Sequence, residues 1–201
     1  QSFGKIVFDF KALGITSATI SAHKLGGPLG VAALILKRGL DITPLLHGGG
    51  QERDIRSSTV NAPGIVSFAT AVDQALANMA DNDSKMSSLQ FQLREDILRE
   101  VPNARINGWA QEILPNILNV TFPGTKNESL LVLLDMAGIS ASQGSACSAG
   151  VQRPSHVLLA MGLTEEEADS TVRFSLGHTS TQEDIDSLCG VIADVVKRAI
   201  K

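Results

Sequence analysis

Ser21-Ala22-His23-Lys24-Leu25-Gly26-Gly27-Pro28 stands between two short apolar and β-branched runs, residues 18–21 and 31–36, which read as strands. The stretch is a glycine-rich turn that carries one lysine. Imine chemistry needs an amine held in a restricted, partly desolvated place, and a turn between two strands provides one. The Ser21 hydroxyl, the His23 imidazole and the backbone of Gly26 and Gly27 are donors of the kind a phosphate needs. Spacing alone describes a surface lysine in a turn equally well.

Working outward, residues 6–10 form a third strand-like run, while His47-Gly48-Gly49-Gly50 and the polar residues 51–59 read as a loop. From Pro63 on, Ile65, Phe68, Ala69, Val72, Leu76 and Met79 recur at helical spacing. Asp81-Asn82-Asp83-Ser84 interrupts them, and the domain boundary is placed there. Met86, Leu89, Leu93 and Ile97 mark a further helix that stops before Pro102. Residues 117–122 read as a strand and 130–137 as a helix ended by Gly138, and a short helix runs between Pro154 and Gly162. Thr164 with Glu167 and Thr181 with Asp184 are capping-box openings of two more helices, with a strand at 172–176 between them. The last helix carries Ile185, Leu188, Cys189, Ile192, Val195, Val196 and Ala199 on one face. Residues 81–201 therefore read as an α+β unit.

With 201 residues, 43% of them hydrophobic, the chain can bury a sizeable core as one domain or a domain plus part of another. The 17 basic residues are scattered under a net charge of -4, which argues against nucleic acid as a partner. No apolar run approaches the roughly 20 residues of a membrane span, and nothing at the amino terminus resembles a signal peptide, so a cytoplasmic location is expected. The opening at Gln1, without Met and close to a strand-like run, suggests a truncated or cleaved chain.

Cys147 lies in Ser142-Gln143-Gly144-Ser145-Ala146-Cys147-Ser148-Ala149-Gly150, where only small residues surround the thiol. It is either an unreactive loop cysteine or an accessible nucleophile whose thiolate a neighbour favours. Cys189, on the apolar stripe of the last helix, reads as a core thiol, and no disulfide is expected between the two in a reducing compartment. Arg173, within Val172-Arg173-Phe174-Ser175-Leu176, points away from its apolar neighbours. That suits an edge-strand charge or a bidentate partner for a substrate carboxylate. His47, His156 and His178 have no metal-ligand spacing, and no metal site is expected.

Taken jointly, Ser21-Ala22-His23-Lys24, the run from His47 through Arg53, Arg56-Ser57-Ser58-Thr59, Gly144-Ser145-Ala146-Cys147 and Arg173-Phe174-Ser175-Leu176-Gly177 occur in the order seen in cysteine desulfurases. The chain resembles the carboxy-terminal half of that family, in its nitrogen-fixation and iron-sulfur-assembly group, from Gln1 to about Asp186. The resemblance implies an α/β plus α+β fold. Residues 1–80 would be the tail of the large pyridoxal 5'-phosphate-binding domain of a fold-type-I transferase, and 81–201 its small carboxy-terminal domain. It implies that Lys24 binds the cofactor covalently, that Ser21 and His23 hold its phosphate, and that Gln1 bonds its phenolic oxygen. Thr59 is similar to the threonine that reaches the phosphate in the partner subunit, which implies a homodimer. Arg173 would hold the carboxylate of L-cysteine, and Cys147 would take its sulfur as a persulfide for an iron-sulfur scaffold or a tRNA-thiolation protein.

Two departures stand out. Ser58 occupies a position where the family usually has glycine, and His178 one where arginine is common. The family's ring-stacking histidine, the aspartate that pairs with the pyridine nitrogen and a phosphate-binding glycine-threonine turn belong to the half preceding Gln1, so these residues by themselves are not expected to turn over. Alternative readings are a selenocysteine lyase or other class-V aminotransferase, and a non-catalytic module that dimerises or binds a scaffold.

Overall fold

The structure is a computed structural model that describes residues 1–108, 113–143 and 154–200. Its chain divides into two compact units, Gln1–Asp81 and Asn82–Lys201.

In the first unit β1 (Ser17–Ser21) and β2 (Ala32–Leu36) pair antiparallel, with Ile20 opposite Ala33 and Ala18 opposite Ile35. The two-residue alternation runs one step past the strand. Ala22 donates its N–H to the Val31 carbonyl and is fully buried. A tight 3-10 turn, Ala22–Leu25, follows and is closed by Gly26 in the left-handed region, φ 81°. Helix α1 (Ala62–Ala77) opens where the Asn61 side chain accepts the Gly64 N–H and Pro63 occupies the first turn. It lies against the turn, and Phe68 joins Ile20 and Ala22 in a small core flanked by Leu25, Val31 and Val72. A side chain at Gly27 would meet the Ala22 Cβ, the Ala22 carbonyl oxygen and the Ala71 Cβ, each at 3.1 Å. Glycine lets turn and helix approach this closely without a neighbour having to give way.

Two expectations are corrected. Residues 6–10 are not a strand, because the Asp9 carboxylate accepts the N–H groups of Lys11 (2.9 Å) and Ala12 (3.0 Å) and closes a turn there. The aspartate's local bonding overrides the apolar pattern. Asp81-Asn82-Asp83-Ser84 does not interrupt a helix either. The break falls at Asn78, whose side chain donates to the Gln74 carbonyl at 2.8 Å, and helix α2 (Met79–Glu100) starts at the next residue. Asp81 sits in its first turn, where a carboxylate suits the positive end of the helix dipole.

The second unit is built on a three-stranded antiparallel sheet, β3 (Arg105–Ile106), β4 (Ile117–Thr121) and β5 (Thr171–Ser175), in that order. Leu118 faces Phe174 and Val120 faces Val172. This apolar face packs with Leu89, Leu93 and Ile97 of α2, with Leu130 and Leu134 of α3 (Asn127–Met136), and with Ile185, Leu188, Ile192 and Val195 of α6 (Gln182–Ala199). Short helices α4 (His156–Ala160) and α5 (Glu165–Asp169) precede β5. Both capping boxes read from the sequence are formed, Thr164 with Glu167 and Thr181 with Asp184. No helix among the described residues is long and apolar enough to cross a membrane.

The loop between β2 and α1 holds its shape at a conformational cost. Glu52, Arg53 and Asp54 lie consecutively in the left-handed region, φ 49°, 58° and 63°, and Ser58 stands at φ 116°. The Ser58 N–H is fastened to the Gln51 side-chain oxygen at 3.1 Å. A non-glycine residue at such a φ carries strain of about 1–3 kcal/mol. Ser58→Gly is therefore expected to raise unfolding free energy by about 1 kcal/mol net of the added chain entropy, as measured by urea denaturation.

Candidate active site

The alternation that buries Ile20 and Ala22 decides where the next two side chains go. His23 and Lys24 are exposed on the outer side of the turn, and Leu25 returns to the small core. Ser21, at the helical cap position, makes no side-chain bond to the turn it precedes. Its hydroxyl is therefore not spent on capping that turn. An amine preceded in sequence by a hydroxyl and an imidazole is a donor set compatible with pyridoxal 5'-phosphate, an aldehyde that also carries a phosphate.

Gln1 is also brought to this turn. The Lys5 ammonium donates to the Gln1 carbonyl at 3.0 Å and to the Lys24 carbonyl at 3.3 Å. Burial, together with the like charge of Lys24, pushes the Lys5 pKa down. The sequence reading passed over Lys5, although its place four residues after Gln1 was a usable signal. Thr59 is exposed at the far end of the 41–60 loop, and among the described residues no hydrogen bond joins it to the Lys24 turn.

In the second unit Arg173 is half-buried on β5, opposite Asn119, on the face turned away from the apolar core. That face carries a polar ladder. Asn107 donates to the Asn119 side-chain oxygen and to the Thr121 hydroxyl, both at 2.8 Å, and Thr121 and Thr171 share a hydroxyl bond of 2.8 Å. The free edge of β5 is occupied at one point only among the described residues. Ser142 forms an antiparallel bridge to Arg173, donating to its carbonyl at 3.1 Å and accepting its N–H at 2.8 Å. Nothing in composition or spacing announced this pairing. Cys147 lies outside the described residues, five positions past Ser142, a tether of at most roughly 17 Å when fully extended.

Cys189 is half-buried against the core of the second unit. Burial first, and then the negative charge of Asp96, pushes its thiol pKa up to about 11. It is held as a thiol and is a poor nucleophile.

Set beside known proteins, residues 1–188 match the aminotransferase class-V family. The chain belongs to that family. It is 42% identical over 200 residues to the IscS-like cysteine desulfurase of Mycobacterium tuberculosis, covering 99% of this chain and 51% of that protein. It is also 42% identical over 200 residues to the cysteine desulfurase IscS of Clostridium botulinum, covering 98% and 50%. The structure of a NifS-like protein from Rickettsia africae superposes with a TM-score of 0.87 at 38% identity, over 97% of this chain and 51% of that one. A second NifS-like protein gives 0.86 at 35%. The chain spans about half the length of the curated relatives it matches. The fold is shared with these NifS-like proteins, in agreement with the family resemblance drawn from the five motifs.

At pH 8 native Cys189 is expected to react with iodoacetamide roughly 10- to 100-fold more slowly than a free thiol. Mass spectrometry of the alkylated peptides, before and after unfolding in urea, checks this. Because the folded pKa is raised above the ordinary value of 9.0, the stability this group contributes is complete below about pH 9 and is lost as pH rises toward 11.

Proposed function

We propose that this chain supplies the lysine, the substrate arginine and the sulfur-accepting cysteine of a cysteine desulfurase, an enzyme that converts L-cysteine to L-alanine and an enzyme-bound persulfide. The observation that carries the reading is the Ser142–Arg173 bridge. It roots the Cys147 stretch on the same strand as the arginine suited to an amino-acid carboxylate. A plain aminotransferase needs an arginine but no thiol tethered beside it.

Residues 1–80 serve as the carboxy-terminal part of the large cofactor domain and 81–201 as the small domain. Lys24 holds pyridoxal 5'-phosphate, Ser21 and His23 donate to its phosphate, and Gln1 donates to its phenolic oxygen. Thr59 reaches the phosphate in the partner subunit of a homodimer. The cofactor supplies an electron-withdrawing conjugated ring attached to the substrate nitrogen. Arg173 pairs with the cysteine carboxylate and fixes the orientation of the Cα–H bond. Lys24, as a free amine, takes that proton and returns one. The Cys147 thiolate attacks the substrate sulfur, so that a sulfur–sulfur bond forms as the substrate Cβ–S bond breaks. The electron pair of the broken bond stays with carbon, protonation yields alanine, and the persulfide remains on Cys147 for an acceptor protein that serves iron-sulfur assembly or tRNA thiolation. The reaction belongs to the cytoplasm, where Cys147 stays reduced between turnovers.

In the full-length gene product, Lys24→Ala is expected to abolish the visible absorbance band at about 420 nm of a lysine-bound pyridoxal cofactor. Cys147→Ser should keep that band and lose persulfide formation. A Cys147→Ser protein that releases sulfide from L-cysteine at the wild-type rate would overturn the role given to Cys147. Arg173→Lys, which keeps the charge and loses the fork, should raise KM for L-cysteine about 10- to 100-fold with a smaller change in kcat.

A further inference from the structure

Lys5 is the one charged side chain among the described residues that joins two segments of the Lys24 site, and the roles given above leave it unused. Its ammonium bonds the Gln1 carbonyl at 3.0 Å and the Lys24 carbonyl at 3.3 Å. Those residues are 23 positions apart in sequence, and each is placed at the cofactor by the reading above. The chain is shaped to bring the amine there. The Lys5 and Ile6 N–H groups both close on the Ser2 carbonyl, at 3.0 and 3.2 Å, and Gly4 between them takes φ 74°. A side chain on Gly4 would meet the Ala75 Cβ of α1 at 2.9 Å and the Leu25 Cδ2 of the lysine turn at 3.2 Å. The tight turn at residues 2–6 is thus pressed against both the helix and the lysine turn, and Lys5 reaches across.

A bridge between two carbonyls does not by itself call for a cation. A neutral donor would hold them without placing a second positive charge beside Lys24. Burial and that like charge lower the Lys5 pKa, so charge at this position is disfavoured in the chain alone. The same position becomes favourable when an anion is bound nearby, because each added cation then gains an opposite charge. An ammonium also has three donors, of which two are used among the described residues.

We propose that Lys5 is a positioning residue of the cofactor site, a cationic clamp that sets the spacing of Gln1 and Lys24 and adds positive charge where an anionic cofactor sits. The proposal rests on the desulfurase reading of Lys24 and goes beyond it. It acts through the two backbone segments and does not require Lys5 to touch the reacting atoms. A misplacement of Lys24 by a fraction of an ångström penalises proton transfer at Cα more than it penalises substrate binding.

The test uses the full-length gene product loaded with pyridoxal 5'-phosphate and the variants Lys5→Met, Lys5→Gln, Lys5→Arg and Lys24→Ala. Three quantities are read: circular dichroism of the visible cofactor band, the rate of cofactor loss on dilution, and kcat with KM for L-cysteine. Lys5→Met is expected to weaken the dichroic band, speed cofactor loss about tenfold and lower kcat about 10- to 100-fold with KM little changed, while the melting temperature of the apo-protein stays the same. Lys5→Arg, which keeps the cation and can reach both carbonyls, should restore all three to within about twofold. Lys5→Gln, a neutral donor that can keep the bridge but removes the charge, should speed cofactor loss about tenfold and lower kcat less than Lys5→Met does, and wild-type cofactor retention in Lys5→Gln would overturn the need for a cation. Wild-type values in Lys5→Met, with Lys24→Ala lacking the band, overturn the role of Lys5 and leave the site reading intact. A band that survives in Lys24→Ala overturns the site reading and the role of Lys5 with it.

Discussion

The chemistry of the first unit depends on one close contact, that between the 3-10 turn at Ala22–Leu25 and helix α1. Ala22 is fully buried, and a methyl group at Gly27 would press on both Ala22 and Ala71. Small residues at both points let the turn sit low against the helix, with Leu25 packed inward and the His23 and Lys24 side chains turned outward. Dense packing transmits displacement, so a larger residue at either end would shift Lys24 rather than be absorbed locally. Lys24 needs no special feature of its own. It is aimed by what its neighbours lack.

In the second unit a different constraint does comparable work. The two faces of the β3-β4-β5 sheet are chemically unlike. Leu118, Val120, Val172 and Phe174 face the helices, while Asn119, Thr121, Thr171 and Arg173 occupy the other side. A one-residue slip of register would exchange the faces, burying the arginine and exposing the core. The hydroxyl and amide bonds among Asn107, Asn119, Thr121 and Thr171 help to fix that register. Arg173 is thereby held at a defined height along the strand.

Much of this was legible in the sequence. The turn around Lys24, the strand pair flanking it, both capping boxes and the apolar stripe of α6 rest on local rules, and each formed where those rules placed it. Residues 6–10 failed because Asp9 spends its carboxylate on two neighbouring N–H groups, a choice that apolar alternation does not register. Asp81–Ser84 failed because polar residues in a helical first turn look the same on paper as polar residues in a loop. Ser142 and Lys5 were passed over for another reason. Ser142 has its partner 31 residues away, and of the two partners of Lys5 only Gln1 is near in sequence while Lys24 is 19 residues away, so no local window contains the whole tie. Of the site, the residue types were readable and the ties between them were not.

The bridge between Ser142 and Arg173 separates two properties of the segment that follows it in sequence, where it is anchored and how far it can reach. Ser142 itself is pinned to the edge strand by a pair of backbone bonds. Insertions or deletions after that residue would alter how far a thiol can travel without disturbing the arginine. Doubling the length of a flexible loop costs only about 0.6 kcal/mol in closure entropy. Chains that share this bridge can therefore vary in length beyond Ser142 at little entropic cost while Arg173 keeps its place on the sheet.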